Sequence, residues 1–265
     1  LERRMGAEWF VIGNDESKPF LVTDGTERRP VVSLGTAEEH PRLRQVVAED
    51  ADRAVLNEAA VMGRGLFIAH LVDAKTEIRR FGMSGRPAGI VTLPGIATAG
   101  GFQGRPRDSE AFFGFTAFAA PTAVHQHDTE AVERNASNKP DDITVEQRIY
   151  RSKEWTEVPI FNVRRKDVTI AARYCFLATG ASEFLGSYAN PIHLAWVEQG
   201  GVLAIACIRG GGEYGGAWHR AGEFANKQNS FYDFIAAGGL KKSGITSSDG
   251  LAIQGESNGF SRIAE

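Results

Sequence analysis

The chain has 265 residues, enough for one large domain or two modest ones. It is 42% hydrophobic and 24% charged, as ordinary soluble globular proteins are, and its formal net charge is −3. This balance excludes the electrostatic footprint of a nucleic-acid or membrane-surface protein, and no apolar run approaches the roughly 18 residues of a membrane span.

The cysteine content favours a cytoplasmic protein. Cys175 and Cys207 are the only two cysteines, and both lie in apolar, strand-like runs. We interpret them as buried, reduced thiols of a reducing compartment. No signal peptide opens the sequence.

Short strands joined by polar turns are predicted for the first half of the chain. The apolar runs that predict them are 9–12, 20–23, 66–72, 78–81 and 112–115. Strands this short and evenly spaced favour a β-propeller or a β-sandwich over a barrel. Residues 38–55 have the composition of a helix, but Pro41 and a weak periodicity argue against one.

The second half has a different character, which begins after a polar stretch at 133–142 that we interpret as a domain linker. A strand pair is predicted at 143–150 and 158–163. The continuous apolar runs 174–177 and 202–208 are typical of strands buried on both faces. Residues 220–237 predict a helix whose apolar stripe is Phe231, Phe234 and Ile235. This order of elements is that of an α/β sheet.

A nucleophile-elbow pattern lies close to the end of the sequence. Residues 255–259 read Gly-Glu-Ser-Asn-Gly, which matches Gly-x-Ser-x-Gly, and the short apolar run 251–253 precedes them as an elbow requires. In hydrolases of this kind the acid and the histidine follow the serine. Here all six histidines precede Ser257, and the sequence ends at Glu265.

Other polar patterns have simpler interpretations than catalysis or metal binding. His125 and His127 alternate on a probable strand, and without a third ligand at suitable spacing a solvated strand face fits better than a metal site. The glycine-rich segment 209–213 lacks the Lys-Ser/Thr ending of a phosphate loop, so we interpret it as a flexible strand-exit loop that walls a cleft. Asp233 lies on the predicted helix and is expected to cap or to pair structurally.

A family resemblance is carried by several segments. Residues 200–215 read Gly-Gly-Val-Leu-Ala-Ile-Ala-Cys-Ile-Arg-Gly-Gly-Gly-Glu-Tyr-Gly, and Trp218-His219 and Asn-Lys-Gln-Asn-Ser-Phe-Tyr-Asp-Phe at 226–234 follow. The match also includes Leu-Ala-Trp-Val-Glu-Gln-Gly at 194–200, and Leu-Val-Asp-Ala-Lys at 71–75 and Leu-Pro-Gly at 93–95 in the first half. In these segments the chain closely resembles the prolyl oligopeptidase family of serine peptidases.

The resemblance implies a mixed fold, in which a seven-bladed propeller caps an α/β-hydrolase domain and peptides enter a cavity between them. For this chain it implies a partial β-propeller of antiparallel blades, the C-terminal ones, over residues 1–132. The N-terminal part of the catalytic α/β-hydrolase domain would follow over 133–265, with the chain a fragment truncated after the nucleophile elbow.

The resemblance also implies roles for individual residues. Ser257 would be the acyl-forming nucleophile, and the backbone N–H of Asn258 would donate to the oxyanion, a contact typically worth roughly 3 kcal/mol. Gly255 and Gly259 would shape the elbow turn. The cavity wall and its loop would be formed by Phe184, Arg209, Glu213, Tyr214, Trp218 and His219. The implied substrates are short peptides cleaved after proline, with no cofactor, metal, nucleic acid or membrane involved.

The sequence departs from the family pattern in four places, which bear on activity. The triad aspartate and histidine are not present in this chain. Ala-Thr-Gly-Ala-Ser-Glu-Phe at 178–184 replaces the loop that carries the family's oxyanion tyrosine. Glu256 and Phe260 stand where the family has glycines, and Trp155 occupies a turn where it has Asp-Gly.

Three functions remain open because of these departures. We expect this chain alone to be inactive, with the missing C-terminal part of the catalytic domain as its partner. The alternative is a catalytically inactive remnant or interaction protein of the same fold, and an esterase without proline preference is a third possibility.

Overall fold

The computed structural model describes residues 8–16, 18–23, 29–35, 42–49, 54–128, 142–168, 174–179, 190–239 and 251–254. These residues form two compact units. The first contains the described residues up to Thr116 and from Thr122 to Asp128, and the second contains 117–121 and the described residues from Asp142 onward. The predicted boundary at 132/133 lies outside the described residues.

The first unit consists of three sheets whose strands pair in chain order. The first sheet has β1 (Trp9–Asp15), β2 (Lys18–Thr23), β3 (Val31–Leu34) and β4 (Leu43–Val47). The second has β5 (Ala54–Met62), β6 (Gly65–Val72), β7 (Lys75–Gly82) and β8 (Pro87–Val91). The third has β9 (Ala97–Gly104), β10 (Glu110–Ala117) and β11 (Ala120–Asp128). Four antiparallel strands in chain order are the repeating unit of a β-propeller blade.

The strands predicted in the first half are confirmed, because every predicted apolar run lies within β1, β2, β6, β7 or β10. The described part of 38–55 contains no helix, in agreement with the arguments from Pro41 and the weak periodicity. Strand β4 lies in that stretch and pairs antiparallel with β3, with Val47 opposite Val31. Valine favours a pleated, half-buried strand over a helix, so the pairing outweighs the helical composition.

Apolar side chains from the first and second sheets share one core cluster. Phe20, Val31, Leu66 and Ile68 are completely buried in it. The third sheet is joined to the second by Glu58 of β5, whose carboxylate accepts hydrogen bonds from the backbone N–H groups of Gly101 (2.7 Å) and Phe102 (2.9 Å).

The two histidines of β11 pack among aromatic rings, so the predicted solvated face is wrong. His125 stacks on Phe113 with 5.6 Å between ring centroids and 15° between ring planes. His127 is buried and meets Phe67 of the second sheet edge-to-face at 5.7 Å. Alternation along the strand did not reveal these aromatic neighbours, which come from other strands. Within the described residues, no group of three or more His, Cys, Asp or Glu side chains is arranged to hold a metal ion.

The second unit is built on a five-stranded mixed sheet with the order β12-β13-β15-β14-β16. Its strands are β12 (Ile143–Arg151), β13 (Glu157–Arg165), β14 (Tyr174–Thr179), β15 (Val202–Cys207) and β16 (Leu251–Ile253). Strand β13 pairs antiparallel with both β12 and β15, whereas β14 pairs parallel with β15 and β16. The predicted strand pair and the two predicted buried runs are therefore confirmed as strands of one sheet.

Three α-helices are described in the second unit. Helix α1 (Pro191–Glu198) lies between β14 and β15 in sequence, and α2 (Gly216–Arg220) and α3 (Lys227–Gly238) lie between β15 and β16. None of the helices in the described part of the chain is long and apolar enough to cross a membrane.

Helix α3 is shorter than predicted and presents a different face to the core. It starts at Lys227 rather than near 220, after a 3-10 turn in which Phe224 has a φ of +48°, outside the α-helical region. Ile235 of the predicted apolar stripe is 66% exposed. The buried residues are Ser230, Asp233, Phe234 and Ala237, spaced as one helical face. The polar pair on this face has specific partners, described below.

The predictions for the cysteines and for the turn at Trp155 are also resolved. Neither cysteine forms a disulfide; Cys207 is buried and Cys175 is half-buried. Burial raises the pKa of the Cys175 thiol. Trp155 lies in the turn between β12 and β13, as predicted, and its side chain is exposed.

Candidate active site

The carboxyl ends of three parallel strands define one edge of the sheet in the second unit. Phe176 of β14 pairs with Ala204 of β15 on one side and with Ile253 of β16 on the other. Neighbouring strands are about 4.8 Å apart, so β15 and β16 are separated by about 10 Å. Ligands of open α/β sheets bind outside the carboxyl ends of the strands. The candidate site therefore belongs at this edge.

The nucleophile elbow requires a strand before it, and β16 confirms that predicted strand. Gln254, directly after β16, lies with its side-chain oxygen 3.3 Å from Nε2 of the buried His193 on α1. The predicted elbow and pocket residues lie outside the described residues: Phe184, Gly255, Ser257, Asn258 and Gly259.

The other five predicted site residues lie together in the segment 209–219, which follows β15. Arg209 and Glu213 are buried, while Tyr214, Trp218 and His219 are half-buried. Their side chains and backbone groups take part in a dense set of hydrogen bonds. The segment is thus an anchored part of the unit, unlike the flexible loop that its glycines predicted.

Arg209 forms a bidentate ion pair with Asp233 of α3. Its Nε lies 2.9 Å from Oδ2 and its Nη2 lies 2.7 Å from Oδ1. Both side chains are buried, with 7% of the arginine and none of the aspartate exposed. Burial removes both charges from water, so each charge needs the other as a partner. Removal of one partner from a buried ion pair typically lowers the free energy of unfolding by about 3–5 kcal/mol. The predicted structural pairing of Asp233 is confirmed.

Three consecutive backbone carbonyls at the end of β15 each accept a hydrogen bond from a different side chain. Trp218 Nε1 donates to Ile208 (3.1 Å), Ser230 Oγ donates to Arg209 (2.6 Å), and His219 Nδ1 donates to Gly210 (2.7 Å). Carbonyl groups that no longer face a neighbouring strand are satisfied here by side chains. The backbone therefore leaves the sheet in one specified direction.

Glycines allow the backbone to pack closely at this point. Gly210 has a φ of +101°, which favours glycine over residues with a side chain. A Cβ atom on Gly222 would overlap the backbone of Arg209 and Gly210, and one on Gly211 would overlap the Glu213 carboxylate. The glycine-rich composition reflects this packing rather than flexibility.

His219 is engaged through both ring nitrogens. Its Nδ1 donates to the Gly210 carbonyl, and its Nε2 lies 3.1 Å from Oε2 of Glu223, four residues later on the chain. Close by, the rings of Tyr214 and Trp218 pack edge-to-face with 5.0 Å between centroids. His219 is therefore a hydrogen-bonded residue of this segment.

Sequence reasoning missed the roles of Ser230 and Gly222. Ser230 Oγ also lies 3.1 Å from the Gly222 carbonyl, so one hydroxyl connects two segments of the loop. A signal was available: Ser230 and Asp233 are three residues apart, on the same helical face as Phe234 and Ala237. Polar residues on an otherwise apolar face indicate buried polar partners.

Comparisons with known proteins agree with this architecture. A sequence model of the prolyl oligopeptidase N-terminal β-propeller domain matches residues 1–140, and a model of the prolyl oligopeptidase family matches residues 188–260. The chain belongs to the prolyl oligopeptidase family. The predicted fold class, a partial β-propeller followed by part of an α/β-hydrolase domain, is confirmed.

Individual family members are similar over most of the chain. A prolyl endopeptidase of Elizabethkingia miricola is 33% identical over 231 residues, which are 82% of this chain and 32% of that protein. A dual function macrocyclase-peptidase of Amanita bisporigera is 30% identical, over 96% of this chain and 37% of that protein. The chain thus spans about a third of the length of these prolyl oligopeptidase relatives.

Solved structures of the family show the same fold. One, from work on two prolyl endopeptidases, superposes with a TM-score of 0.84 at 37% identity and covers 99% of this chain and 40% of its own. Prolyl oligopeptidase B of Galerina marginata, bound to a 35-residue hydrolysis and macrocyclization substrate, gives a TM-score of 0.85 at 25% identity. It covers 97% of this chain and 38% of its own.

Proposed function

We propose that this chain supplies the serine nucleophile and part of the substrate cavity of a cytoplasmic serine peptidase that cleaves short peptides after proline. The observation that carries the proposal is β16, which runs parallel to β14 and is separated by only Gln254 from the Gly-Glu-Ser-Asn-Gly sequence at 255–259. A strand that leads into this motif is the context in which the motif denotes a nucleophile.

The proposed reaction is acyl transfer. Ser257 Oγ attacks the carbonyl carbon of the prolyl residue while a histidine general base takes the hydroxyl proton. The backbone N–H of Asn258 stabilises the oxyanion, and the amine leaves after it receives the proton. Water then releases the peptide acid from the serine ester. An unassisted serine hydroxyl is a poor nucleophile, so the reaction requires a histidine and a carboxylate in addition to the groups named here.

The described residues have a substrate-positioning role in this proposal. Arg209, Glu213, Tyr214, Trp218 and His219 form the wall of the cavity beside the nucleophile, with Phe184 as an aromatic of the substrate pocket. The half-buried rings of Tyr214 and Trp218 support this role, because aromatic faces are good surfaces for an apolar side chain. We also propose that residues 1–132 are the C-terminal blades of the β-propeller and that residues 133–265 are the N-terminal part of the α/β-hydrolase domain.

The test is covalent labelling of the protein purified from its source cells with a fluorophosphonate probe. Ser257→Ala should abolish labelling, whereas Ser84→Ala should leave it unchanged, because Ser84 is an exposed turn residue of the first unit. A fluorogenic peptide with proline before the scissile bond should be cleaved with a kcat/KM at least tenfold above that of its alanine analogue.

Each other outcome selects a different function. Folded protein that takes up no probe indicates the inactive remnant or interaction protein. Labelling at Ser257 with turnover of small esters and no preference for proline indicates an esterase on the same scaffold.

A further inference from the structure

Helix α3 binds both polar backbone groups of a single residue, Arg209, which lies two residues beyond the end of β15. Asp233 Oδ2 accepts a hydrogen bond of 2.9 Å from the Arg209 backbone N–H, and Ser230 Oγ donates one of 2.6 Å to the Arg209 carbonyl. Both helical side chains are completely buried. The two peptide planes that flank Arg209 are therefore held by one helical face.

The guanidinium group of Arg209 adds a third connection to the same carboxylate. Asp233 Oδ2 accepts from both the backbone N–H and Nε of Arg209, while Oδ1 accepts from Nη2. Replacement of a buried ion pair by apolar residues is often neutral or favourable for stability, so a pair of this kind is weak evidence for a stabilising role. The geometry of the Arg209–Asp233 pair instead constrains the path of the backbone after β15.

The constraint extends to the residues proposed to line the cavity. Gly210, the next residue, donates its N–H to the Trp218 carbonyl at 3.1 Å and accepts from His219 Nδ1. A shift of the Arg209 peptide planes would move Gly210 and thereby disturb its contacts with Trp218 and His219. Both of these residues belong to the proposed wall.

We infer that Asp233, together with Ser230, is a positioning residue that fixes the β15-exit loop, residues 209–215, at the carboxyl edge of the sheet. It acts through the backbone N–H of Arg209 rather than through contact with substrate. The inference rests on the proposed function for its catalytic consequence, which is the correct placement of the cavity wall. The placement of the loop itself can be measured without catalysis.

Two double variants separate positioning from charge pairing. Arg209→Met with Asp233→Asn removes both charges but retains a side-chain oxygen that can accept the backbone N–H of residue 209. Arg209→Met with Asp233→Leu removes that acceptor as well. Amide hydrogen exchange is followed by mass spectrometry in peptides that cover 208–222, and thermal unfolding is measured in parallel.

In the Leu double variant the 209–211 amides should exchange at least tenfold faster than in the wild type. In the Asn double variant their exchange rates should stay within threefold of the wild-type rates. In peptide hydrolysis the Leu variant should show about a tenfold higher KM with kcat changed less than twofold, as expected when a wall that binds ground state and transition state alike is displaced. Asp167→Asn is the control, because its ion pair with Arg165 is exposed; exchange at 209–211 should be unchanged.

The inference is overturned if the two double variants show equal exchange at 209–211. It is also overturned if the Leu variant loses its cooperative unfolding transition, since the carboxylate would then stabilise the whole unit. Ser230→Ala provides a milder check, with at least threefold faster exchange expected at 209–211 and wild-type exchange contradicting it. If the wild type neither hydrolyses peptide nor takes up fluorophosphonate, the proposed function fails, while the exchange data still decide the positioning role.

Discussion

The phenol of Tyr150 donates a hydrogen bond of 2.8 Å to the backbone carbonyl of Asp233, 83 residues further along the chain. Tyr150 belongs to β12 and Asp233 to α3, so this bond joins the edge of the mixed sheet to the helix that holds the β15-exit loop. Tyr150 also belongs to the apolar core cluster of the second unit, with Val158, Ile160 and Phe234. One side chain therefore contributes both apolar burial and a specific polar contact.

Tyr150→Phe should lower the free energy of unfolding by about 1–2 kcal/mol, because the ring remains while a buried hydrogen bond is lost. Urea unfolding at neutral pH measures the difference. Tyr232→Phe is the matched control: its half-buried ring, which lies 4.0 Å from the Lys153 ammonium, is retained, and a change within about 0.5 kcal/mol is expected. Equal effects of the two substitutions would show that the Tyr150 hydroxyl contributes nothing specific.

The same hydroxyl predicts a pH dependence at alkaline pH. Burial, and next the Asp233 carboxylate, raise the pKa of Tyr150 well above its usual value. The folded state therefore retains a proton that the unfolded state loses above about pH 10, and the contribution of Tyr150 to stability falls as the pH rises beyond that value. The stability difference between wild type and Tyr150→Phe should be constant from pH 7 to about pH 9 and should shrink at higher pH. A difference that grows with pH would contradict the direction of the shift.

Gly222→Ala should destabilise the protein by roughly 1–3 kcal/mol or more, because the added Cβ would overlap backbone atoms of Arg209 and Gly210 and neither can rotate away. Gly238→Ala is the control, and it should stabilise the protein. A Cβ there meets no atom within 4 Å, and alanine is favoured over glycine in a helix by roughly 0.5–1 kcal/mol. Thermal or urea unfolding of both variants checks the prediction, and a Gly222→Ala protein as stable as the wild type would refute the close packing.

Glu58→Ala should destabilise the first unit by about 2 kcal/mol, since the backbone N–H groups of Gly101 and Phe102 lose a charged acceptor. Glu110→Ala is the comparison, because Glu110 is an exposed residue whose side chain accepts from Gln126 at 2.6 Å on the surface. We expect it to change stability by less than about 0.5 kcal/mol. Faster amide exchange confined to 99–103 in Glu58→Ala would locate the effect in β9.

Trp155→Gly should be more stable than Trp155→Ala by about 1 kcal/mol. Glu154 and Trp155 have φ values of +60° and +62°, the two consecutive left-handed residues of a type I′ hairpin turn, and a Cβ atom is disfavoured there. Both variants lose the same exposed ring and its contact with the Arg151 guanidinium at 5.6 Å. The difference between their free energies of unfolding therefore reports the conformational preference of the backbone alone. Denaturant unfolding that ranks alanine above glycine would show that the turn adopts another conformation in solution.

Much of the fold was predictable because the relevant information is local in the sequence. Apolar runs separated by turn residues predicted β1, β2, β6, β7 and β10 of the first unit, and 251–253 predicted β16. The composition of 38–55 did not predict β4, because the composition of a single segment does not include its partner: β4 is a strand because β3 lies beside it. The same limitation applies to His125 and His127, whose aromatic neighbours come from other strands.

The sequence by itself determined the prolyl oligopeptidase family, the strands with continuous apolar runs and the candidate nucleophile Ser257, since each depends on residues close together in the chain. Only the tertiary structure decided that β15 lies between β13 and β14, and that Arg209 is paired with Asp233, 24 residues away. It also decided that Ile235 is exposed while Ser230 is buried. The physical reason is that a buried polar group is stabilised by the particular partner that folding brings to it, and one-dimensional patterns record burial and periodicity but not the identity of that partner.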